Sequence, residues 1–248
     1  MPLTPLWREA RLGVELASLL RDPVFRQEAD APGRPVLLIP GFLAGDGSLA
    51  TMTGWLRRRG HRTRRAGIRL NVDCSARALD NLEERLEALV LAQGGPAVVI
   101  GQSRGGTLAR ALAERRPDLV DTVVALGSPL VDPFAIHPLL KLQIGALGAL
   151  GSLGFPGLFG RSCWDGECCA DFRDSFERPL SGGVRLVSVY SRTDGIVDWR
   201  ACLDPEAEQV EVAASHIGMA VNPAVYRVLA QALDAGPAER TGPLAVAA

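Results

Sequence analysis

An α/β fold with a mostly parallel central sheet flanked by helices is what this sequence predicts. Three observations carry that expectation. Short, wholly apolar runs recur along the chain, and such runs suit strands covered on both faces. Segments with apolar residues at helical spacing separate them. The two kinds of segment alternate, which argues for parallel strands joined by right-handed crossovers. A chain of 248 residues, 47% of them hydrophobic, is long enough to bury one full core without staples.

The elements follow in order. Leu6, Leu12, Leu16, Leu19 and Leu20 predict a packing helix ahead of the domain proper. Asp30–Pro35 (Asp-Ala-Pro-Gly-Arg-Pro) is a turn-rich connector, so residues 1–34 form an N-terminal helix and connector. Val36–Ile39 is the first apolar strand. A helix over Ser48–Arg59 stops at Gly60, a residue suited to a C-terminal cap. His61–Ala66 is a weaker strand candidate. Ser75–Gln93 carries Leu79, Leu82, Leu86, Leu89 and Val90 on one stripe and stops at Gly94. Val98–Ile100 is a strand ending at Gly101, and Gly105–Arg116 a helix ending before Pro117. Strands over Thr122–Leu126 and Val184–Tyr190 end at Gly127 and Ser191. Gln209–Val212 is a second weak strand, and a helix over Pro223–Leu233 closes a main domain of residues 35–235. The small, polar residues 236–248 read as a frayed tail. No internal repeat occurs.

Composition excludes some functions. A formal net charge of −1 and 5% aromatic residues give neither a basic field nor a stacking surface for nucleic acid. No apolar stretch is long enough for a membrane span. Arg8, Glu9, Arg11 and Glu15 interrupt the apolar residues where a secretory signal needs an unbroken core. The expectation is a cytoplasmic protein, with a processed secreted chain as the alternative. Nothing in the sequence marks an oligomeric state. The cysteines are Cys74, Cys163, Cys168, Cys169 and Cys202, an odd count that leaves one unpaired in a monomer. Cys163, Cys168 and Cys169 lack the paired CxxC spacing or partner histidines of a zinc site, so no metal is expected. A disulfide from this cluster to Cys74 or Cys202 stands beside the alternative of inert thiols.

The most informative segment is Val98-Val-Ile-Gly-Gln-Ser-Arg-Gly-Gly106. It reads strand, then G-x-S-x-G, then helix, the context in which that motif presents a nucleophilic serine. A strand that turns sharply into a helix strains the residue at the corner and leaves little room beside it. Gly101 and Gly105 supply that room, and Gly106 allows close helix–sheet packing. Ser103 is therefore the candidate nucleophile. The N–H of Arg104, at the helix N-terminus, is a candidate oxyanion donor.

A serine nucleophile needs a general base, and three histidines are available. His61 sits in an arginine-rich stretch and reads as a surface residue. His137 lies in a Pro133–Pro138 segment with no rigid element to present it. His216 follows the last strand, where a loop leaving the sheet's C-terminal edge aims a side chain over the site, and it is the candidate base. The acid comes from Tyr190-Ser-Arg-Thr-Asp-Gly-Ile-Val-Asp198. Asp194 comes first after the strand and has Gly195 behind it. Asp198 competes, but suits capping a short helix over Trp199–Cys202. Pro40-Gly-Phe-Leu-Ala-Gly45 follows the first strand, where the second oxyanion N–H arises, with Phe42 as donor and Leu43 next.

With these segments on the page, the chain resembles α/β-hydrolase-fold serine esterases and lipases, above all bacterial lipase-like hydrolases. The matching parts are Leu37–Phe42, Gly101–Gly106, Gly127–Pro129, Tyr190–Val197 and Ser215–Gly218. The resemblance implies the α/β-hydrolase fold and carboxylic-ester hydrolysis through an acyl-enzyme, without a cofactor. Three positions depart from the pattern: Pro40 stands where the family has His before Gly41, and Gln102 and Arg104 flank the serine where His and a small or apolar residue are common. The insertion at about 130–180 then corresponds to a lid or cap. Its core, Phe134–Phe159, has Lys141 as its one charge and five glycines from Gly145 to Gly157, which suits a mobile cover over an apolar acyl ester or lipid-like substrate. A buried helix pair that completes the core is the alternative. Arg57, Arg58, Arg59, Arg62, Arg64, Arg65 and Arg69 suit either weak contact with an anionic membrane surface or a solvated edge. An acyl thioesterase, or a non-catalytic binding protein on the same fold, remain the rival readings.

Overall fold

Six parallel strands form one sheet in the order β2-β1-β3-β4-β5-β6 in a computed structural model that describes residues 5–28, 33–175, 178–181 and 183–234. The strands are β1 (Pro35–Ile39), β2 (Arg62–Arg65), β3 (Ala97–Gln102), β4 (Val120–Leu126), β5 (Arg185–Tyr190) and β6 (Glu208–Glu211). The helices are α1 (Leu12–Arg21), α2 (Ala50–Arg58), α3 (Ser75–Gln93), α4 (Arg104–Arg115), α5 (Pro138–Ser152), α6 (Ser162–Asp165), α7 (Ala170–Asp174) and α8 (Pro223–Asp234).

The strands' two-residue period sorts the core into two layers. Val36, Leu38, Val98, Ile100, Val124, Val187 and Val189 face α1, α2 and α8, where Leu19, Trp55 and Tyr226 are fully buried. Leu37, Ile39, Val99, Val123, Ala125 and Leu186 face α3 and α4. The strands read as unbroken apolar runs because both faces are covered. The two weak strands, β2 and β6, are the sheet's outermost strands, half covered and therefore rich in charge. Gly94, at φ 75°, ends α3 by donating its N–H to Val90 O at 2.8 Å.

Three expectations change. The N-terminal helix begins as a 3₁₀ segment, Leu6–Arg11, before α1. His61 is buried rather than exposed: its Nδ1 accepts from Arg34 N–H at 3.1 Å, and burial, with Arg59 and Arg34 nearby, pushes its pKa down to about 4. Arg59 leaves the solvated arginine edge, donating to Gln27 O, Glu28 O and Asp234 Oδ2 at 3.1, 2.8 and 2.5 Å. The expected tail, residues 236–248, and residues 30–32 of the connector lie outside the described residues.

The insertion between β4 and β5 folds over the sheet's C-terminal edge. It is not a buried helix pair: α5 buries only Gly148, while Leu139, Leu142 and Leu150 are exposed. His137 acquires the rigid element it lacked in the sequence, since it caps α5 by accepting from Leu139 N–H at 3.2 Å. Among the described residues no helix is long and apolar enough to cross a membrane.

Candidate active site

Ser103 sits between β3 and α4 at φ 53° and ψ −124°, a backbone region that L-residues rarely occupy. The surrounding glycines explain how it is held there. A Cβ on Gly101 would lie 2.2 Å from Gly105 O, and one on Gly105 would lie 2.2 Å from Ile39 O. Strand, corner and helix are therefore in backbone contact, and no larger residue fits at those positions. Ser103 N–H donates to Leu126 O at 2.8 Å, fixing the corner to β4.

Asp194 and His216 meet beside this corner. Asp194 Oδ2 lies 2.6 Å from His216 Nδ1, with both side chains buried. Asp194 Oδ1 accepts the N–H groups of Ile196 and Val197, each at 2.8 Å, which pins the carboxylate to its turn. Burial alone would depress the imidazole's pKa. The Asp194 charge and hydrogen bond, with Glu9 behind them, outweigh it, and His216 is raised above its ordinary value. Asp198 caps the Trp199–Cys202 turn, accepting Arg200 N–H at 3.1 Å.

Ser103 and the Asp194–His216 pair are linked through their neighbours in the chain. Gln102 Nε2 donates to His216 O at 3.0 Å. Gly127 follows Leu126, the backbone partner of Ser103, and a Cβ there would lie 3.2 Å from both Asp194 Oδ2 and His216 Nδ1. A direct hydrogen bond between Ser103 Oγ and His216 is not formed among the described residues, and such bonds commonly tighten only with substrate bound.

The two oxyanion candidates flank the serine. Arg104 opens α4, so its N–H has no partner within the helix. Ala44 N–H donates to Gly41 O at 3.1 Å, a turn that leaves the Phe42 N–H outside its own bond. The Arg104 side chain has a structural task. It donates to Asn71 Oδ1 at 2.7 Å and to Asp73 O at 2.6 Å, and Asn71 Nδ2 donates to Pro40 O at 2.7 Å. One guanidinium thus ties α4 to the Phe42 loop, and its burial pushes its pKa down to about 10.

Sequence reasoning missed Glu9, Glu15 and Asn71. Glu9 Oε1 accepts Gly195 N–H at 2.9 Å and His216 N–H at 3.0 Å, and its Oε2 accepts Ile217 N–H at 2.9 Å. Glu15 accepts Ser215 N–H at 2.8 Å and Ser215 Oγ–H at 2.6 Å. The N-terminal segment therefore clamps the acid and histidine loops together. The available signal was two carboxylates breaking an apolar helical stripe. Their partners lie about two hundred residues away.

A cavity of about 450 Å³ opens at Ser103, walled by Phe42, Val131, Phe134, Ile136, Leu140, Ile144, Phe159 and Trp164. Most of these walls come from the insertion. Phe159 is the joint, with its ring 6.3 Å from those of both Phe42 and Trp164.

Comparisons with known proteins agree with this architecture. A family model described as the alpha/beta hydrolase fold matches residues 34–149. The mature form of a Bacillus licheniformis lipase superposes with a TM-score of 0.61 at 14% identity, covering 84% of this chain and 96% of the lipase. A soluble variant of monoglyceride lipase from Saccharomyces cerevisiae gives 0.58 at 13% identity over 83% of this chain and 87% of its own. A Paleococcus ferrophilus monoacylglycerol lipase gives 0.54 at 14% identity, over 82% and 96%. A search of curated proteins returned no match. The chain has the alpha/beta hydrolase fold.

Proposed function

We propose that this protein is a serine carboxylic-ester hydrolase of the esterase or lipase kind. The observation that carries the reading is the buried 2.6 Å pair of Asp194 and His216 beside a strained Ser103 at the mouth of an apolar cavity. Ser103 Oγ attacks the ester carbonyl carbon as His216 Nε2 takes its proton. The carbonyl oxygen gains the negative charge, which the Phe42 and Arg104 N–H groups stabilise. His216 returns the proton to the leaving alcohol. Water, deprotonated by the same imidazole, then releases the acid and restores Ser103. Asp194 holds the tautomer with Nδ1–H and stabilises the imidazolium. No step requires a cofactor.

The cavity walls favour an apolar acyl group, and the insertion acts as the lid over it. The lipases among the structural neighbours support an ester or lipid substrate. Hydrolysis of p-nitrophenyl esters of graded acyl length tests the reading, with acyl-CoA substrates in a parallel arm. The expected result is turnover of esters above thioesters, fluorophosphonate labelling of the chain, and loss of both in Ser103→Ala. Labelling without turnover of any ester would refute the esterase assignment while leaving a reactive serine. Absence of both would favour a binding protein.

A further inference from the structure

Four cysteines from three segments converge beside the catalytic cavity. Cys74 immediately precedes α3, Cys163 lies in α6, and Cys168 and Cys169 end the turn before α7. Their sulfurs all lie within 4.8 Å of one another. Individual separations are 3.3 Å for Cys74–Cys169, 3.8 Å for Cys163–Cys168 and 3.9 Å for Cys168–Cys169. A tetrahedral zinc with Zn–S bonds of about 2.3 Å requires sulfurs about 3.8 Å apart, so four thiolates already stand near the corners such an ion needs. Every one of these cysteines is a free thiol. Cys202, the fifth, lies apart, packed with Ile136 and Val197.

The surroundings suit a tetrathiolate, whose net charge with a divalent ion is −2. The sulfur of Cys74 faces the Ala76 and Arg77 N–H groups at the start of the nineteen-residue α3. The Arg104 guanidinium, held by Asp73 O and Ser75 Oγ at 2.6 and 3.2 Å, brings positive charge close by. Cys74 and Cys169 are buried, Cys163 is half-buried and Cys168 is exposed, which leaves an entry path for an ion. The spacing argument from sequence weighed only cysteines near one another in the chain, whereas the fold delivers the fourth from about ninety residues upstream.

We propose that Cys74, Cys163, Cys168 and Cys169 form a structural Zn²⁺ site that fastens the insertion to the body of the hydrolase. Four Zn–S bonds form, and four thiol protons leave to solvent. The site has a closed ligand set, so its role is to hold structure and not to activate water. What it holds is specific. Cys163 lines the catalytic cavity beside Trp164, and Cys74 adjoins Asp73 and Ser75, which anchor the side chain of the residue following Ser103. The ion would therefore lock one wall of the cavity to the backbone that carries the oxyanion donors. This inference rests on the four sulfurs and is independent of the esterase assignment.

The test is metal content of the full chain, purified under reducing conditions without chelator and dialysed after incubation with excess Zn²⁺. The expected result is one zinc per chain, retained in Cys202→Ser and lost in Cys163→Ser/Cys168→Ser. Cobalt replacement reads the ligand set in the unmutated chain, so it does not depend on a variant folding. Four thiolates give the intense visible bands and near-ultraviolet charge-transfer absorption of a tetrahedral cobalt–thiolate centre. Chelation should lower the midpoint of thermal unfolding and sensitise the segment around residues 160–175 to proteolysis. A chain that takes up no zinc, shows no cobalt–thiolate bands, or yields a Cys74–Cys169 disulfide in non-reducing peptide maps from freshly purified protein would overturn the proposal.

Discussion

At the scale of single residues, the site works by holding groups where they would not rest alone. Ser103 is the clearest case, and its conformation follows from three backbone segments in contact around it. Holding a non-glycine residue there costs of order 1–3 kcal/mol. Ser103→Gly removes that strain but loosens the unfolded chain by roughly 0.5–1 kcal/mol. The strain is the larger effect, so this variant should be more stable by about 1 kcal/mol, a melting-point rise of roughly 2–4 °C for a chain of this length; an unchanged or lower midpoint would contradict it. His216 gives a second prediction. As the proposed base, His216 must be neutral to accept a proton, and its raised pKa keeps it charged to a higher pH. The acid limb of kcat/KM should therefore lie above the ordinary imidazole value of about 6.5. The same shift makes the Asp194–His216 pair stabilising below that value, a contribution lost as pH rises through the folded pKa. Asp194→Asn removes the attraction and leaves the burial, so the limb should move to lower pH while kcat falls roughly 10⁴-fold. A pH–rate profile of both proteins decides it.

Elements, rather than residues, explain why the Asp194 and His216 loops stay together. β5 and β6 are neighbours whose following loops carry Asp194 and His216, but loops alone are pliable. The 3₁₀ segment Leu6–Arg11 and α1 supply the constraint, with Glu9 bridging the two loops and Glu15 fixing Ser215. Gly218 belongs to the same clamp, since a Cβ there would lie 1.5 Å from Glu15 Oε2. Glu15→Ala strands the Ser215 N–H and hydroxyl in a buried place, each such loss costing about 1–3 kcal/mol. Relief of the carboxylate's own desolvation offsets part of this, leaving about 2 kcal/mol of destabilisation. Because Glu15 touches no wall of the cavity, kcat should fall with KM nearly unchanged. A matching rise in KM would mean that the clamp shapes the substrate cavity instead.

For the whole molecule, what was legible in the sequence divides along one physical line. Strands covered on both faces, helices with one apolar stripe, and the G-x-S-x-G corner are local patterns, so β1, β3, β4, β5, α3 and α4 could be read directly. The meeting of Asp194 and His216 was legible because each follows a strand at the edge that carries Ser103. Contacts between distant segments left no local mark: the Glu9 and Glu15 clamp, Asn71 beneath the Phe42 loop, and Cys74 joining three cysteines of the insertion. The insertion itself was legible as apolar but not as exposed. Its outer surface shows why exposure matters. Leu142 is 69% and Leu153 77% exposed, with Leu139, Leu150 and Phe155 also open to water. Exposed apolar side chains so concentrated in one segment suit contact with lipid or protein, at a cost of about 25 cal/mol for each Å² left wet. If the proposed lid meets aggregated substrate through this face, Leu142→Asp with Leu153→Asp should cut hydrolysis of an emulsified long-chain ester several-fold. The same protein should turn over a dissolved short-chain ester at the unmodified rate, because neither leucine lines the cavity. Equal losses on both substrates would place these leucines in the support of the cavity, and no loss on either would leave the exposed face without a part in hydrolysis.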